Sequence, residues 1–442
     1  MATRCLSMWV LGLTFLLSAW ISCAGAADVY LSISRGGGQR LRLAIPDFVR
    51  AEGGGTSEGG LGHEMAQTLA EDLRVYRFFD VIENQKFLQE AAQADAQAGN
   101  IAFKEWAEQG AQALVKGTYT QDGRDLIIEC RLFDVPGQSM ITGKRYRGPS
   151  DAVASIMHRC ADEIMIRFTG EPGIAQTKVA FISRQRGNKE LFVMDHNGAN
   201  IRQLTQEQSI VLSPAWSPDG GALAITSYRD RNPDLFVISL NGNGRRPLSQ
   251  QPGLNSAPAW SPDGTRLAVV LTKDGNSEIY LMNRNGTDIR RLTNHPAIDT
   301  SPTWSPTGRQ IAFVSNRSGS PQIFIMEAEG SNVRRLTYQG NYNAGPSWSP
   351  RGDRIAFVSQ EGSRFDVYVI NVDGSGLQRL TLGHGSNESP SWSPDGRFLV
   401  FSSTRTGTPQ LFRMYDDGSG LQQLTFLEGG ALSPVWSPRI VE

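Results

Sequence analysis

The chain has 442 residues, 43 of them Lys or Arg against 44 Asp or Glu, for a formal net charge of −1. No basic field is available for a polyphosphate partner, which argues against nucleic-acid binding. With 39% hydrophobic residues there is apolar material for a core in each of two domains.

Residues 1–26 read as a signal peptide. Arg4 is its only charge, an apolar stretch runs from Met8 to Ile21, and Ala24-Gly25-Ala26 is an Ala-x-Ala cleavage pattern that leaves Ala27 at the mature N-terminus. The stretch is short for a membrane span and no second one follows, so the expected product is exported and soluble. Trp20-Ile21-Ser22 before Cys23 do not resemble a lipoprotein signal. Cys5 and Cys23 leave with the signal. Cys130, on a strand-like segment, and Cys160, on a helical one, remain. An oxidising compartment permits a disulfide between them, and two buried thiols on facing elements fit as well.

Residues 27–40 form an arm. Asp28, Val29, Tyr30, Leu31, Ser32, Ile33 and Ser34 alternate in polarity ahead of three glycines. The segment can pair with a partner's sheet edge, or it can be a frayed terminus. Residues 41–168 read as a small α/β domain. A strand at 41–48 and a glycine-rich stretch precede an amphipathic helix at 63–76 that presents Met65, Leu69, Leu73 and Tyr76 on one side. A strand at 78–82 follows, then helices at 84–98 and 102–111. ALVKGTYT, DLIIECRLFD and SMITGKRYRG are three strands, and a helix at 150–168 puts Ile156, Cys160 and Ile164 on one face. Residues 169–178 read as a linker.

The rest of the chain repeats. Trp216, Trp260, Trp304, Trp348, Trp392 and Trp436 stand 44 residues apart, each in a Pro-x-Trp-Ser-Pro frame. A turn glycine (Gly198 to Gly418) and a Leu-Thr or Leu-Ser pair (Leu204 to Leu424) keep the same beat. Each unit holds four short strands that are apolar on both faces, the grammar of a propeller blade. The first unit, from Val179, lacks a tryptophan strand, and the sixth tryptophan strand stands alone at 433–437. That orphan is expected to complete the first blade and remove a free sheet edge. The chain therefore reads as multidomain: a small N-terminal α/β domain, then an all-β six-bladed propeller over 179–442, closed by its C-terminal strand. The tryptophans are expected to pack between blades.

No enzyme is expected. Gly55-Thr56-Ser57-Glu58-Gly59 matches the nucleophile-elbow pattern by letter, but the domain is too small for the matching hydrolase fold and lacks a suitable triad. The five histidines, His63, His158, His196, His295 and His384, show no ligand spacing. No metal and no cofactor are expected. The turns after the first and third strands of each unit are short and alike; the loops after the second and fourth are longer and vary, so they form the face that meets a partner. Arg186, Arg229, Lys273, Arg317 and Arg405 lie in its second-strand loops and could make a basic rim, or could be ordinary solvated charge; His295, Tyr342 and His384 lie in its other loops. A hydrolase or lyase using the channel mouth, or a small-ligand sensor, are the alternative readings.

The order Pro-x-Trp-Ser-Pro-Asp-Gly, Ile-Ala-Phe, Tyr-x-Met-x-x-Asp-Gly and Leu-Thr resembles the WD40-like propellers of the TolB family and of the prolyl oligopeptidase group. FKEWAEQGAQALVKGTYT (103–120) and MHRCADEIMIRFTGEPG (157–173) resemble the N-terminal domain of the TolB family. That resemblance implies a non-enzymatic, periplasmic, monomeric component of the Tol-Pal system. It implies binding of the lipoprotein Pal at the propeller and of the C-terminal domain of TolA at the N-terminal arm, in support of outer-membrane integrity and division.

Overall fold

The computed structural model describes residues 40–51, 60–83, 85–98, 100–240 and 244–439. The signal segment, the arm Asp28–Ser34 and the Gly55–Gly59 motif lie outside the described residues.

The N-terminal part is β1 (Leu41–Ala44), β2 (Val49–Arg50), α1 (Leu61–Arg74), β3 (Phe79–Val81), α2 (Gln85–Ala98), α3 (Phe103–Glu108), β4 (Ala113–Asp122), β5 (Asp125–Asp134), β6 (Ser139–Pro149) and α4 (Val153–Thr169). The sheet runs β3-β1-β4-β5-β6, with β1 parallel to both its neighbours and the β4-β5-β6 meander antiparallel. Alternation along a strand sends neighbours to opposite faces. Leu43 and Val115 pack with Met65, Leu69 and Leu73 of α1 and Ile156, Cys160 and Ile164 of α4. Ala44 and Leu114 pack on the other face with Phe87, Leu88 and Trp106 of α2 and α3. α3 ends earlier than its sequence pattern, because Gly110, with φ of 77°, turns the chain out of the helix. Cys130 of β5 and Cys160 of α4 are joined in a disulfide. The stretch after α4 is packed rather than loose: Ile174 is buried and its N–H donates to Tyr76 Oη at 2.8 Å.

Six four-stranded sheets follow. Blade 1 comprises Lys178–Arg186, Asn188–Asp195 and Arg202–Gln203, with Leu432–Trp436 paired antiparallel to its first strand. Blades 2 to 6 start at Val211, Asn255, Asp299, Asn343 and Asn387. The first strands of successive blades touch one another around the ring, so they are the innermost. Trp436 Nε1 donates to Thr177 Oγ1 at 2.8 Å, and Trp216, Trp304 and Trp392 donate to Val435, Ala259 and Ser347 carbonyls of the neighbouring first strand at 3.0 to 3.1 Å. The tryptophans thus pack between blades, as their spacing suggested.

The other markers also have structural reasons. In blades 1, 3, 4, 5 and 6 the Leu-Thr threonine (Thr205, Thr293, Thr337, Thr381, Thr425) accepts an N–H from the first half of the third strand. It donates to the buried side chain just before: Glu190, Glu278, Gln322, Asp366 or Gln410. This bond ties the end of the outer strand to its neighbour where a two-residue ladder alone would fray. One regularity is less visible in the sequence. Each innermost strand carries a bulge, with the residue before its proline in the left-handed region: Ser213, Ala257, Ser301, Gly345, Ser389 and Ser433, φ 46–58°.

Candidate binding face of the propeller

The α/β domain occupies the tight-turn face at blades 1 and 6. Arg77 grips Asp417, in the last hairpin turn of blade 6, through both terminal nitrogens at 2.6 and 2.7 Å; Tyr415 Oη donates to the Val75 carbonyl at 2.5 Å. Tyr76 meets Phe398 at 5.8 Å, and one hydrophobic core runs from α1 and α4 through Phe398 to Trp436. The variable-loop face lies on the other side of the ring and is not covered by this domain.

Three large side chains stand out on that free face. Tyr338, Leu382 and Phe426 are 73, 68 and 78% exposed. They are equivalent positions, each directly after its Leu-Thr pair, in the loops that leave blades 4, 5 and 6. The same position in blades 1, 2 and 3 is Gln206, Gln250 and Asn294. At this position the loops leaving blades 4, 5 and 6 therefore carry large apolar side chains and those leaving blades 1, 2 and 3 polar ones, while Ile210 and Ile298 are exposed, 43 and 51%, further along the loops that leave blades 1 and 3. Three consecutive large apolar side chains in the open mark a contact surface more than scattered exposure does. The signal lay in the sequence, as an apolar residue after Leu-Thr in three repeats only, and the reading of the loops by charge passed over it.

The basic residues on this face are not equivalent. Arg229 is exposed. Lys273 pairs with Asp274 at 2.6 Å and lies 5.1 Å from the Tyr280 ring. Arg317 turns inward: Nη2 meets the buried Asp299 carboxylate at 2.7 Å, and the guanidinium sits over Phe313 and Phe324. Arg405 does the same with Asn387, at 2.9 Å, over Phe401 and Phe412; burial holds it below the usual arginine range. These two cations are committed to their own blades. The side chain of Arg186 lies outside the described residues. His295 Nδ1 accepts the Ala297 N–H of its own loop at 3.0 Å, His384 is exposed, and Tyr342 packs edge-on to Phe365 at 5.6 Å. Glu388, on the innermost strand of blade 6, has its carboxyl pushed up by burial.

Among the described residues, one group brings three metal-type donors within 4.8 Å: Asp72, His158 and His196, at the domain boundary. Its donors are spent on one another. Asp72 Oδ2 lies 2.6 Å from His158 Nδ1 and Asp72 Oδ1 2.9 Å from His196 Nε2. Two ligands at about 2.0–2.1 Å from one tetrahedral ion stand roughly 3.3 Å apart. The group is built as a hydrogen-bonded cluster and does not fit a metal cradle.

The sequence matches the family described as the TolB beta propeller domain over residues 165–367 and 345–441, and that described as the TolB amino-terminal domain over 29–141. The chain belongs to the TolB family. It is similar to the crystal structure of TolB from Acinetobacter baumannii, with a TM-score of 0.77 at 26% identity, covering 91% of this chain and 97% of that one. It is also similar to the Tol-Pal system protein TolB of Desulfosudis oleivorans, 41% identical over 201 residues, 45% of each chain. The Geobacter sulfurreducens protein of the same name is 43% identical over 196 residues, 44% of each. The chain spans about half the length of the curated relatives it matches. No described helix is long and apolar enough to cross a membrane.

Proposed function

We propose that this protein is a periplasmic, non-enzymatic adaptor of the Tol-Pal system that binds Pal on the variable-loop face and TolA through the arm Asp28–Ser34. In this role it supports outer-membrane integrity and constriction during division. The observation that carries the reading is the arc of Tyr338, Leu382 and Phe426 on the propeller face that the α/β domain leaves open. A surface of this kind suits a folded protein partner: exposed aromatic and aliphatic anchors supply the buried centre, and Arg229, Lys273 and His384 supply a polar rim. The arc sits to one side of the channel, so the partner docks with its centre on blades 4, 5 and 6 and reaches Lys273 and Arg229 of blades 3 and 2 only at its rim. Export by the signal segment places the protein in the same compartment as these partners.

The test is a titration of Pal against the wild-type chain and the triple variant Tyr338→Ser, Leu382→Ser, Phe426→Ser. The expected result is a loss of affinity of at least tenfold at unchanged thermal stability, since truncation of a central anchor typically costs about 2 kcal/mol or more. Equal affinities would remove Pal from this face.

A further inference from the structure

The α/β domain and the propeller meet over a buried polar cluster drawn from both. Asp72 of α1 is fully buried and shares its carboxylate between His158 of α4 and His196, in the turn after the second sequential strand of blade 1. The other nitrogen of His158, Nε2, looks across the boundary at Asp195 Oδ2, 3.9 Å away. Lys178 Nζ holds Asp195 at 2.8 Å and Asn200 Nδ2 holds it at 2.6 Å. Arg413 of blade 6, also buried, directs Nη1 at the His196 carbonyl at 3.5 Å. Asp162 of α4 is occupied by the N–H groups of Ala175 and Gln176. Asp151 lines the cavity beside His158. Those are the charged groups that face the cluster from α1, α4, blade 1 and blade 6.

We propose that Asp72, His158 and His196 form a proton-controlled clasp between the two domains, tight when His158 is charged and looser when it is neutral. The cluster holds one carboxylate and two imidazoles out of water. A charged His158 donates Nδ1–H to Asp72 and presents Nε2–H to Asp195 of the propeller. When His158 gives up the Nε2 proton, the bond to Asp72 survives but the attraction to Asp195 across the boundary does not. Asp72 then keeps a buried negative charge with two neutral hydrogen-bond donors, and the Arg413 guanidinium is the cation that remains near it. His196 Nδ1 is buried without a hydrogen-bond partner, so the site accommodates the tautomer with its proton on Nε2. A second proton there would bury an N–H that has no acceptor. The switch is therefore a single proton on His158. A cavity of about 220 Å³ lined by Asp151, Ser155, His158, Lys178, Asp195 and Asn200 gives that proton a route to solvent.

The direction of the effect follows from the charges. Burial disfavours a charged His158, but its bond to Asp72 and the charges of Asp72 and Asp195 outweigh burial and hold it above the usual histidine range. Burial likewise works against the Asp72 carboxylate, and the two histidines outweigh it and hold it below the usual range. The His158 contribution is complete below the ordinary histidine value and is lost as pH rises through the raised one. The Asp72 contribution is lost only in acid. The clasp is tight in mild acid and slackens toward alkaline pH.

Two measurements on the full chain test this. The first is the thermal unfolding midpoint of wild type and His158→Gln. Wild type is expected to melt about 2–4 °C above the variant near about pH 6, with the gap closing by about pH 9. The second is backbone hydrogen exchange in the turn 195–199, corrected for intrinsic rate. It is expected to accelerate across the same range in wild type and to stay flat in His158→Gln, which removes the titrating group that faces Asp195. A gap that is constant with pH, or a wild-type turn whose exchange ignores pH, overturns the clasp. The exchange profile of wild type decides alone if His158→Gln does not fold.

Discussion

A β-carbon built on Gly286 would stand 2.1 Å from the carbonyl oxygen of Leu248 in the preceding blade. The same relation joins Gly198 to Leu424 at 2.3 Å, Gly330 to Leu292 at 2.6 Å and Gly418 to Leu380 at 2.7 Å. Two of the repeat's markers are thus one contact, between the last hairpin turn of one blade and the outer strand of its neighbour.

Gly286→Ala is expected to destabilise the propeller by about 2–3 kcal/mol, because φ of 85° and the close approach to Leu248 both exclude a side chain. Chemical denaturation of the variant reads this as a lower midpoint at unchanged slope. Stability within experimental error of wild type would mean that the blades can separate at this turn without cost.

Removal of residues 431–442 is expected to abolish the cooperative transition of the propeller. The deletion takes away the strand that pairs with Val179 to Ile182, and with it Trp436, which lies 6.4 Å from Phe398 and donates to Thr177. Circular dichroism melting is the check; a wild-type transition in the truncated chain would show that the ring closes by other means.

Cys130 and Cys160 close a loop across 30 positions. On chain-entropy grounds, reduction or Cys160→Ser is expected to cost about 3 kcal/mol, mostly in the α/β domain. Melting with and without a reductant measures it, and coincident curves would refute it.

The Arg77–Asp417 pair has a predictable acid limit. The hydrogen bond from Arg77 holds the Asp417 carboxyl well below the usual carboxylate range. Its contribution is present above the ordinary aspartate value and is lost as pH falls through the lowered one. The side chains are 44 and 48% exposed, so the pair is screened and small, at most about 1 kcal/mol. Asp417→Asn is expected to lower stability at neutral pH by at most about 1 kcal/mol and to converge on wild type in acid, which flattens the acid limb slightly; a steeper limb would contradict the assignment.

Charge reversal on the free face should separate the two kinds of arginine. Arg229→Glu is expected to lower the association rate of an acidic partner, with an effect that shrinks in salt, and to leave the fold intact. Arg317→Glu is expected to destabilise by about 3 kcal/mol or more, because it leaves the buried Asp299 facing a second carboxylate. Stopped-flow binding and melting of both variants make the comparison; a fold indifferent to Arg317→Glu would show that this arginine is not committed to its blade.

Blade number, strand order and closure were legible in the sequence because each follows from a local pattern repeated at a fixed period: the tryptophan frame, the turn glycine and the orphan last strand. The α/β domain was legible for a similar reason, since α1 and α4 carry their apolar positions at helical spacing. Side-chain direction was not legible. Arg229 and Arg317 occupy the same place in the repeat, yet one is exposed and the other lies inward, because blade 4 opens with Asp299 where blade 2 opens with Val211. The sequence also placed His158 on a helix and His196 at a turn, with nothing to bring them to Asp72. That meeting depends on how α1, α4 and blade 1 dock, through contacts spanning 86 and 124 positions along the chain. Local periodicity determines elements and their order; the choice of which charges are buried together is made only when separate hydrophobic faces merge into one core.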